Sequence, residues 1–278
     1  MRRALAGVLL LAAPLVAQEL PPPERKPLGF LGELLLRARD AGTLGRVEGE
    51  RWYRIEGEGG AGASLVVVRV RPSDDPPVLV LETVLTTLGQ DPAADMHTQV
   101  LIAPDGRMHS FRSALRMAGR GEARAQGTVD GQVLRLILEE PGRELRSEER
   151  PWDPEAVPGQ ALMFLVPVLH DQLEADETKL VQFDETSAKL APRLLRRARS
   201  APGAPGPPLV TLTLAHAVEK QQVQLIARCD LEGRIFELRR ERSLMKPIPP
   251  DEARALLDRE RARPHARPDT PPPPPAPR

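Results

Sequence analysis

Histidine is the side chain most often used for acid–base chemistry and metal binding, but the five histidines of this chain are not spaced to act together. His97 and His109 flank a predicted hairpin with Pro104-Asp105-Gly106 at its turn. A two-residue turn places them on opposite faces of the sheet, whereas a three-residue turn places them on one face but roughly 13 Å apart. Neither arrangement lets them bind one ion, so we predict no metal site.

Other patterns that carry chemistry are also weak. His170-Asp171 resembles half of a catalytic triad, but neighbours on a predicted helix do not face each other. Gly59 to Gly62 lacks the Gly-Lys-Ser/Thr of a phosphate-binding loop. The carboxylate pair Asp74-Asp75 falls in a turn and gives no evidence of a glycosidase cleft. We therefore predict no catalytic residue and no cofactor, and a hydrolase whose residues meet only in the folded chain is a third-ranked function.

One basic cluster lies within the predicted domain, at Arg193, Arg196, Arg197 and Arg199. The first three are candidates for contact with an anionic group, and the alternative is a solvated face. Lys+Arg and Asp+Glu both number 39, so the chain has no overall charge to attract a nucleic acid, and we predict no nucleic-acid partner.

The two ends of the chain differ in composition from its centre. Residues 1–17 resemble a signal peptide, with two arginines, an apolar stretch that is too short to span a membrane, and a small residue at its end. We expect the mature chain to be periplasmic or secreted and not membrane-spanning after cleavage. Residues 18–46 are a Pro-rich lead-in and a helix from about Leu28 to Ala41, and 264–278 form a Pro-rich tail predicted to be disordered.

The centre, residues 47–248, alternates with the period of two that is typical of antiparallel strands. A helix is expected near 160–174, with a kink or a break into two short helices at Pro167. Residues 187–199 fit a helix or a strand. A C-terminal helix, 249–263, follows, with Asp251 as its predicted cap. The remaining predicted strands are Arg51 to Ile55, Ser64 to Val70, Val78 to Leu88, several between His97 and Glu149, Lys179 to Phe183, Leu209 to His216, Gln221 to Cys229 and Arg234 to Glu241.

The hairpin around Asp130-Gly131 suggests a ligand-facing surface. A two-residue turn at this dipeptide pairs Gly127 with Leu134. In the same register Ala125 pairs with Leu136, and Ala123 pairs with Leu138. Small residues opposite large ones let a sheet bend around a core, or leave room for a ligand to lie on it. The candidate ligand-facing residues are Ala123, Ala125, Leu134, Leu136 and Leu138.

The last predicted hairpin is apolar on one face. Cys229 shares that face with Val223, Leu225 and Ala227, and we expect it in the core. As the only cysteine, it can form no internal disulfide. Alternation also places Phe236 and Leu238 on one side of their strand.

Two short motifs carry a resemblance to a known family. Trp52-Tyr53-Arg54-Ile55 begins the first strand, and Asp230-Leu231-Glu232-Gly233-Arg234 turns the last hairpin. Together with the arrangement of elements over roughly 47–245, they resemble the half-barrel fold of periplasmic lipoprotein carriers and related exported domains of unknown function. The resemblance implies an open curved sheet whose apolar concave face is closed by helices and binds acyl chains.

We therefore expect a mainly β (α+β) fold, a curved antiparallel sheet or half-barrel with covering helices. The expected function is non-enzymatic binding of an apolar or amphipathic, lipid-like ligand. The alternative is a structural or interaction module of the cell envelope with a packed core, no ligand and a protein partner.

Overall fold

The computed structural model describes residues 28–57, 63–75, 77–89, 94–117, 121–201, 207–217, 222–240 and 243–262. The predicted signal peptide, most of the Pro-rich lead-in and the Pro-rich tail lie outside the described residues.

Most of the described chain is β-strand. Three α-helices accompany the strands: α1 (Phe30–Asp40), α2 (Gly159–Phe164) and α3 (Pro250–Arg261). Two short 3-10 helices lie at Leu44–Arg46 and His170–Gln172. The strands are β1 (Gly49–Gly57), β2 (Ala63–Asp74), β3 (Pro77–Leu88), β4 (Ala94–Ile102), β5 (Met108–Met117), β6 (Gly121–Asp130), β7 (Val133–Glu139), β8 (Arg146–Pro151), β9 (Val157–Pro158), β10 (Glu177–Asp184), β11 (Lys189–Arg199), β12 (Val210–His216), β13 (Val223–Cys229), β14 (Ile235–Arg240) and β15 (Ser243–Pro247).

The strands of the described residues form one open sheet of fifteen strands, as the mainly β prediction required. Its order is β8 to β1 followed by β15 to β9. Successive strands are therefore paired, except that β8 and β9 lie at opposite edges, and β1 pairs with β15. The pairs are antiparallel except for the short β9, which runs parallel to β10. Hairpin connections of this kind need only short turns, which suits the many Gly and Pro residues between strands.

The sheet must curl, because its two edges are joined by a short connection. β8 and β9 are the edge strands, and only residues 152–156 link them. An extended link of that length reaches about 20 Å, whereas fifteen flat strands would extend roughly 65 Å. In the curled sheet, Arg150 of β8 donates a hydrogen bond from Nη1 to the carbonyl of Ala188, beyond β10, at 2.7 Å.

The interior of the curled sheet is filled partly by the segment after β9. Residues 161–170 are all buried, and they form α2 and the turn that follows it. Pro167 lies after the end of α2, where its missing N–H costs no helical hydrogen bond. The predicted helix over 160–174 is therefore two short helices, one of the two forms expected from the sequence.

Helix α1 closes one end of the sheet, called here the lower end. Leu31, Leu34 and Ala38 are buried against the core. The backbone of α1 touches the β4–β5 turn so closely that a Cβ on Gly32 would lie 2.1 Å from the carbonyl oxygen of Asp105. The glycine therefore permits a backbone contact that no other residue allows at this site.

Helix α3 packs on the outer face of the sheet. Its Ala253 is buried with Trp52 and Val67 in a small second core. Asp251 lies in the first turn of α3 and makes no capping hydrogen bond, so its predicted role as cap is wrong. Its charge still favours the helix N-terminus, where backbone N–H groups point outward.

The register of the β6–β7 hairpin differs from the prediction by two residues. Gly127 pairs with Leu136 and Ala125 pairs with Leu138, because the turn is Gly131-Gln132. Only the first of these two turn residues has positive φ, at 62° for Gly131. That is the pattern of a type II′ turn, which requires glycine at its first central position. Because the shift is even, small residues still face leucines.

Two other predictions about strands are settled. Residues 187–199, left open between helix and strand, are largely the strand β11. Phe236 and Leu238 are not on one side, since Leu238 is fully buried and Phe236 is half exposed. A β-bulge opposite Arg228 and Cys229 inserts Phe236 as an extra residue and turns it to the solvent. The expectation that Cys229 is a core residue is confirmed, and burial raises the pKa of its thiol to about 12.

Candidate functional site

The inner face of β3 to β7 carries three successive rows of side chains in register. The lower row is Leu81, Val100, Phe111 and Leu136. The middle row is Thr83, Thr98, Ser113 and Ala125, and the upper row is Leu85, Met96, Leu115 and Ala123. The lower row is sealed, with each side chain at most 1% exposed, whereas all four residues of the upper row are partly exposed.

The upper row lies one step beyond the middle row, where α2 begins. Gln160, near the start of α2, accepts a hydrogen bond from Thr83 of the middle row at 3.0 Å. From there the chain runs to the lower end, where the Val168 carbonyl lies against Gly233. A helix of six residues is about 9 Å long, whereas strands of nine to twelve residues extend about 30 to 40 Å. The helix thus fills only part of the interior.

The five predicted ligand-facing residues divide between these environments. Leu134 and Leu136 are buried in the main core, at 2% and 1% exposure. Ala123 lies in the upper row, while Ala125 of the middle row pairs with Leu138, and all three are partly exposed. The structure therefore leaves three of the five partly exposed and places two inside the packed core.

The small residues of β6 have a packing role at the lower end. A Cβ on Gly127 would lie 2.4 Å from Cε1 of Phe111 and 3.0 Å from Cδ1 of Leu134. Phe111 in turn packs edge-on against Phe183, with ring centroids 5.1 Å apart. Trp152 also packs edge-on against Phe183, again with centroids 5.1 Å apart. At this level, the space opposite the leucines is occupied by an aromatic side chain of the protein itself.

The middle row begins a belt of polar groups across the interior. The Thr98 and Ser113 hydroxyls lie 3.2 Å apart, and Thr83 donates to Gln160. The backbone N–H of Gln160 donates to Oε1 of Glu185 at 3.0 Å. The belt separates the sealed lower core from the partly exposed upper row, and each buried polar group in it has a partner, as burial requires.

Glu185 is a carboxyl group inside the protein, only 3% exposed. Burial raises its pKa to about 7, and the N–H of Gln160 and the charge of Arg240 oppose that rise while the charge of Asp184 adds to it. Below about pH 7 the protonated form of Glu185 is therefore favoured in the folded chain. Because the unfolded carboxyl loses its proton near pH 4.5, the unfolded chain binds fewer protons between about 4.5 and 7.

We expect the free energy of unfolding to fall as the pH rises from about 4.5 to 7, and Glu185→Gln to remove much of that slope. The variant should be more stable than the parent at pH 8 and similar to it at pH 4. Urea unfolding at several pH values measures both quantities. Glu177→Gln on the same hairpin is the control, because this carboxylate is half exposed and paired with Arg196. Parallel profiles for parent and Glu185→Gln would contradict the assignment.

The predicted anion-contacting arginines have three different environments. Arg196 is partly exposed and pairs with Glu177 at 3.0 Å. Arg197 is a structural link, since its Nη1 donates to the carbonyls of His170 and Leu173 at 2.8 and 3.0 Å, and it pairs with Asp176. Arg193 is 9% exposed, and its Nε donates to Oε1 of Gln182 at 2.7 Å. Burial lowers the pKa of Arg193, against the opposing charge of Asp184.

A separate apolar groove of about 610 Å³ runs beside α1. Leu35 and Leu36 of α1 form one wall, and Leu79 with Ile102 of the sheet forms the other. Its volume falls in the range of small-molecule sites, and its few polar side chains include Arg39 and Glu48. The sequence analysis did not anticipate this groove, because its walls come from residues far apart in the chain.

Histidines and carboxylates do not converge. Nε2 of His97 lies 2.9 Å from Oε1 of Glu82 on the outer face, and His170 contacts the carbonyl of Asp230 at 2.8 Å. His109 lies at a bulge, between Met108 and Ser110, which pair with Ile102 and Leu101. The described part of the chain contains no group of three or more His, Cys, Asp or Glu side chains that could hold a metal ion. No described helix is long and apolar enough to cross a membrane.

The comparisons with known proteins give a likeness of fold and no sequence family. No protein-family model matches the chain, and no curated protein matches it. Among solved structures, it is similar to a beta-barrel-like protein of the domain of unknown function DUF1849 from Brucella abortus. That pair is 11% identical, with a TM-score of 0.47, over 71% of this chain and 93% of the other. A DUF1089 family protein from Pseudomonas aeruginosa is 10% identical, with a TM-score of 0.37, over 62% and 87%.

Proposed function

We propose that this protein binds an apolar or amphipathic, lipid-like ligand on the inner face of its curled sheet, without catalysis. The observation that carries the proposal is the partly exposed upper row, Leu85, Met96, Leu115 and Ala123, beyond the start of α2. The outer face of the same strands carries polar residues such as Gln99 and Arg112 at the level of the middle and lower rows. Contiguous exposed apolar surface marks sites of interaction.

The composition of the upper row suits a ligand of variable shape. Met96 is flexible and polarizable, and methionine is common on surfaces that accept different apolar partners. Leu138 and Ala125 extend the same surface toward β7. This arrangement fits the acyl-chain binding implied by the resemblance to lipoprotein carriers, and a periplasmic or secreted location of the mature chain belongs to the same proposal.

The second candidate is an envelope interaction module with a protein partner. The sealed lower row and the apolar groove beside α1 favour it, because an amphipathic segment of a partner packs into such a groove. In that case the groove, rather than the upper row, is the functional surface.

The neutral dye 1-N-phenylnaphthylamine tests the proposal, because its fluorescence rises in an apolar site. We expect saturable binding to the parent protein and about 10-fold weaker binding to Leu115→Asn, since removing one leucine contact costs about 1.5 kcal/mol. Ile137→Asn is the matched control, because Ile137 is an exposed apolar residue of β7 on the opposite face.

Two results would count against ligand binding on the upper row. Loss of dye binding in Leu36→Asn, with Leu115→Asn unaffected, would move the ligand to the groove beside α1. Absence of any saturable binding to the parent protein, together with a ligand-free mass in native mass spectrometry, would reject ligand binding and leave the interaction module.

A further inference from the structure

Arg193 is a largely buried cation, and none of the described carboxylates forms a salt bridge with it. Its side chain lies on the face of β11 that also carries Leu195, a residue of the main core. Its one hydrogen bond in the described structure uses Nε and a neutral amide, Oε1 of Gln182. Asp184 acts on it only through its charge, because the Asp184 carboxylate accepts the backbone N–H groups of Thr186 and Ser187.

Two partly buried arginines have more hydrogen-bond partners than Arg193. Arg197 has two carbonyl acceptors and a carboxylate, and both terminal nitrogens of Arg51 donate to carbonyls, those of Phe164 and Val47. In proteins, buried charges are normally paired, because removing an unpaired charge from water is costly. The Arg193 guanidinium is held by its Nε, and among the described residues its two terminal nitrogens have no hydrogen-bond partner and are not enclosed, so they can bind an anion from outside the chain.

Arg193 is connected to the proposed ligand surface through a short series of contacts. Gln182 holds its Nε and reaches Gly159, where a Cβ would lie 2.8 Å from Nε2 of Gln182. Gln160 follows and contacts Thr83, two residues before Leu85 of the upper row. Arg193 and the upper row thus lie on two sides of the start of α2, one offering a positive charge and the other an apolar surface.

We infer that Arg193 receives the anionic headgroup of the ligand, a carboxylate or a phosphate, while the apolar chain lies on the upper row. This inference rests on the proposed function and narrows it to anionic amphiphiles. Gln182 positions the guanidinium by holding Nε, and the two terminal nitrogens bind the two oxygens of the headgroup in a bidentate pair.

Displacement of bound 1-N-phenylnaphthylamine by oleate and by oleyl alcohol tests the inference, since the two share one chain and differ in headgroup charge. We expect oleate to displace the dye from the parent protein at a concentration at least 10-fold lower than oleyl alcohol does. In Arg193→Met this ratio should fall to near one. A parallel titration with 1-oleoyl lysophosphatidic acid shows whether a phosphate or a carboxylate is preferred.

Arg196→Met is the control, because Arg196 belongs to the same cluster on β11 but is partly exposed and paired with Glu177. It should keep the preference for oleate. The urea midpoint of Arg193→Met should equal or exceed that of the parent, because no acid loses its partner. Equal displacement by oleate and oleyl alcohol in the parent would overturn the inference while dye binding upholds the proposed function. Absence of dye binding would overturn both.

Discussion

Gly32→Val should destabilise the protein by about 3 to 5 kcal/mol and detach α1 from the lower end of the sheet. The new side chain would begin 2.1 Å from the carbonyl oxygen of Asp105, which belongs to a backbone that cannot turn aside. Across the contact, Gly106 approaches equally closely and has a φ of 81°, so the turn cannot move without strain. If α1 shifts, Leu31 and Leu34 lose their burial.

Urea unfolding measures this loss, and Gly45→Val is the matched control. A Cβ on Gly45 would meet nothing within 4 Å, and its φ is not in the left-handed region. We expect the control to change the free energy of unfolding by less than about 0.5 kcal/mol. If both variants lost similar stability, the close contact of α1 with the β4–β5 turn would not be the cause.

Arg197→Met should cost about 3 kcal/mol, the second large effect. Its guanidinium satisfies the carbonyls of His170 and Leu173, in the segment that leads from α2 to β10. Methionine has a similar length but donates no hydrogen bond, so both carbonyls would be left without this donor.

Arg193→Met and Arg196→Met are the controls for this loss of stability, because all three arginines belong to β11. We expect each of these two to change the free energy of unfolding by less than about 1 kcal/mol. If Arg197→Met were equally mild, the arginine would not hold the segment after α2, and a ligand-binding role for it would regain support.

The sequence alone predicts the local features of the fold well where the residues themselves decide them. The alternation in β6 and β7 gives the correct faces, because side-chain direction depends only on the period of a strand. The register differs because Asp130-Gly131 and Gly131-Gln132 are both acceptable turns, and the chain uses the second, with glycine at the one position whose φ is positive. The bulge at Phe236 breaks the alternation at one residue, and no residue type there signals it.

The candidate site could be predicted only in part, for a different reason. Leu115 and Phe111 have the same pattern in the sequence, and what separates an exposed row from a sealed one is where α2 begins. Arg193, Arg196 and Arg197 are likewise equivalent as a charge cluster in the sequence. Among the described residues, however, Arg193 forms no salt bridge, Arg196 pairs with the exposed Glu177, and Arg197 donates to two backbone carbonyls. Those differences depend on chain segments that meet only after the sheet has curled.

The pairing of β1 with β15 also determines how early in synthesis the sheet can be fully formed. Tyr53 of β1 lies opposite Pro247 of β15, so β1, which is synthesised first, cannot pair with its partner until β15 has been synthesised. Contacts between such distant parts of a chain form slowly, because a long loop must close before they stabilise anything. Both edges of the finished sheet, β8 and β9, instead come from the middle of the sequence. Synthesis must therefore reach the last strand before the seam between the two halves of the sheet can form.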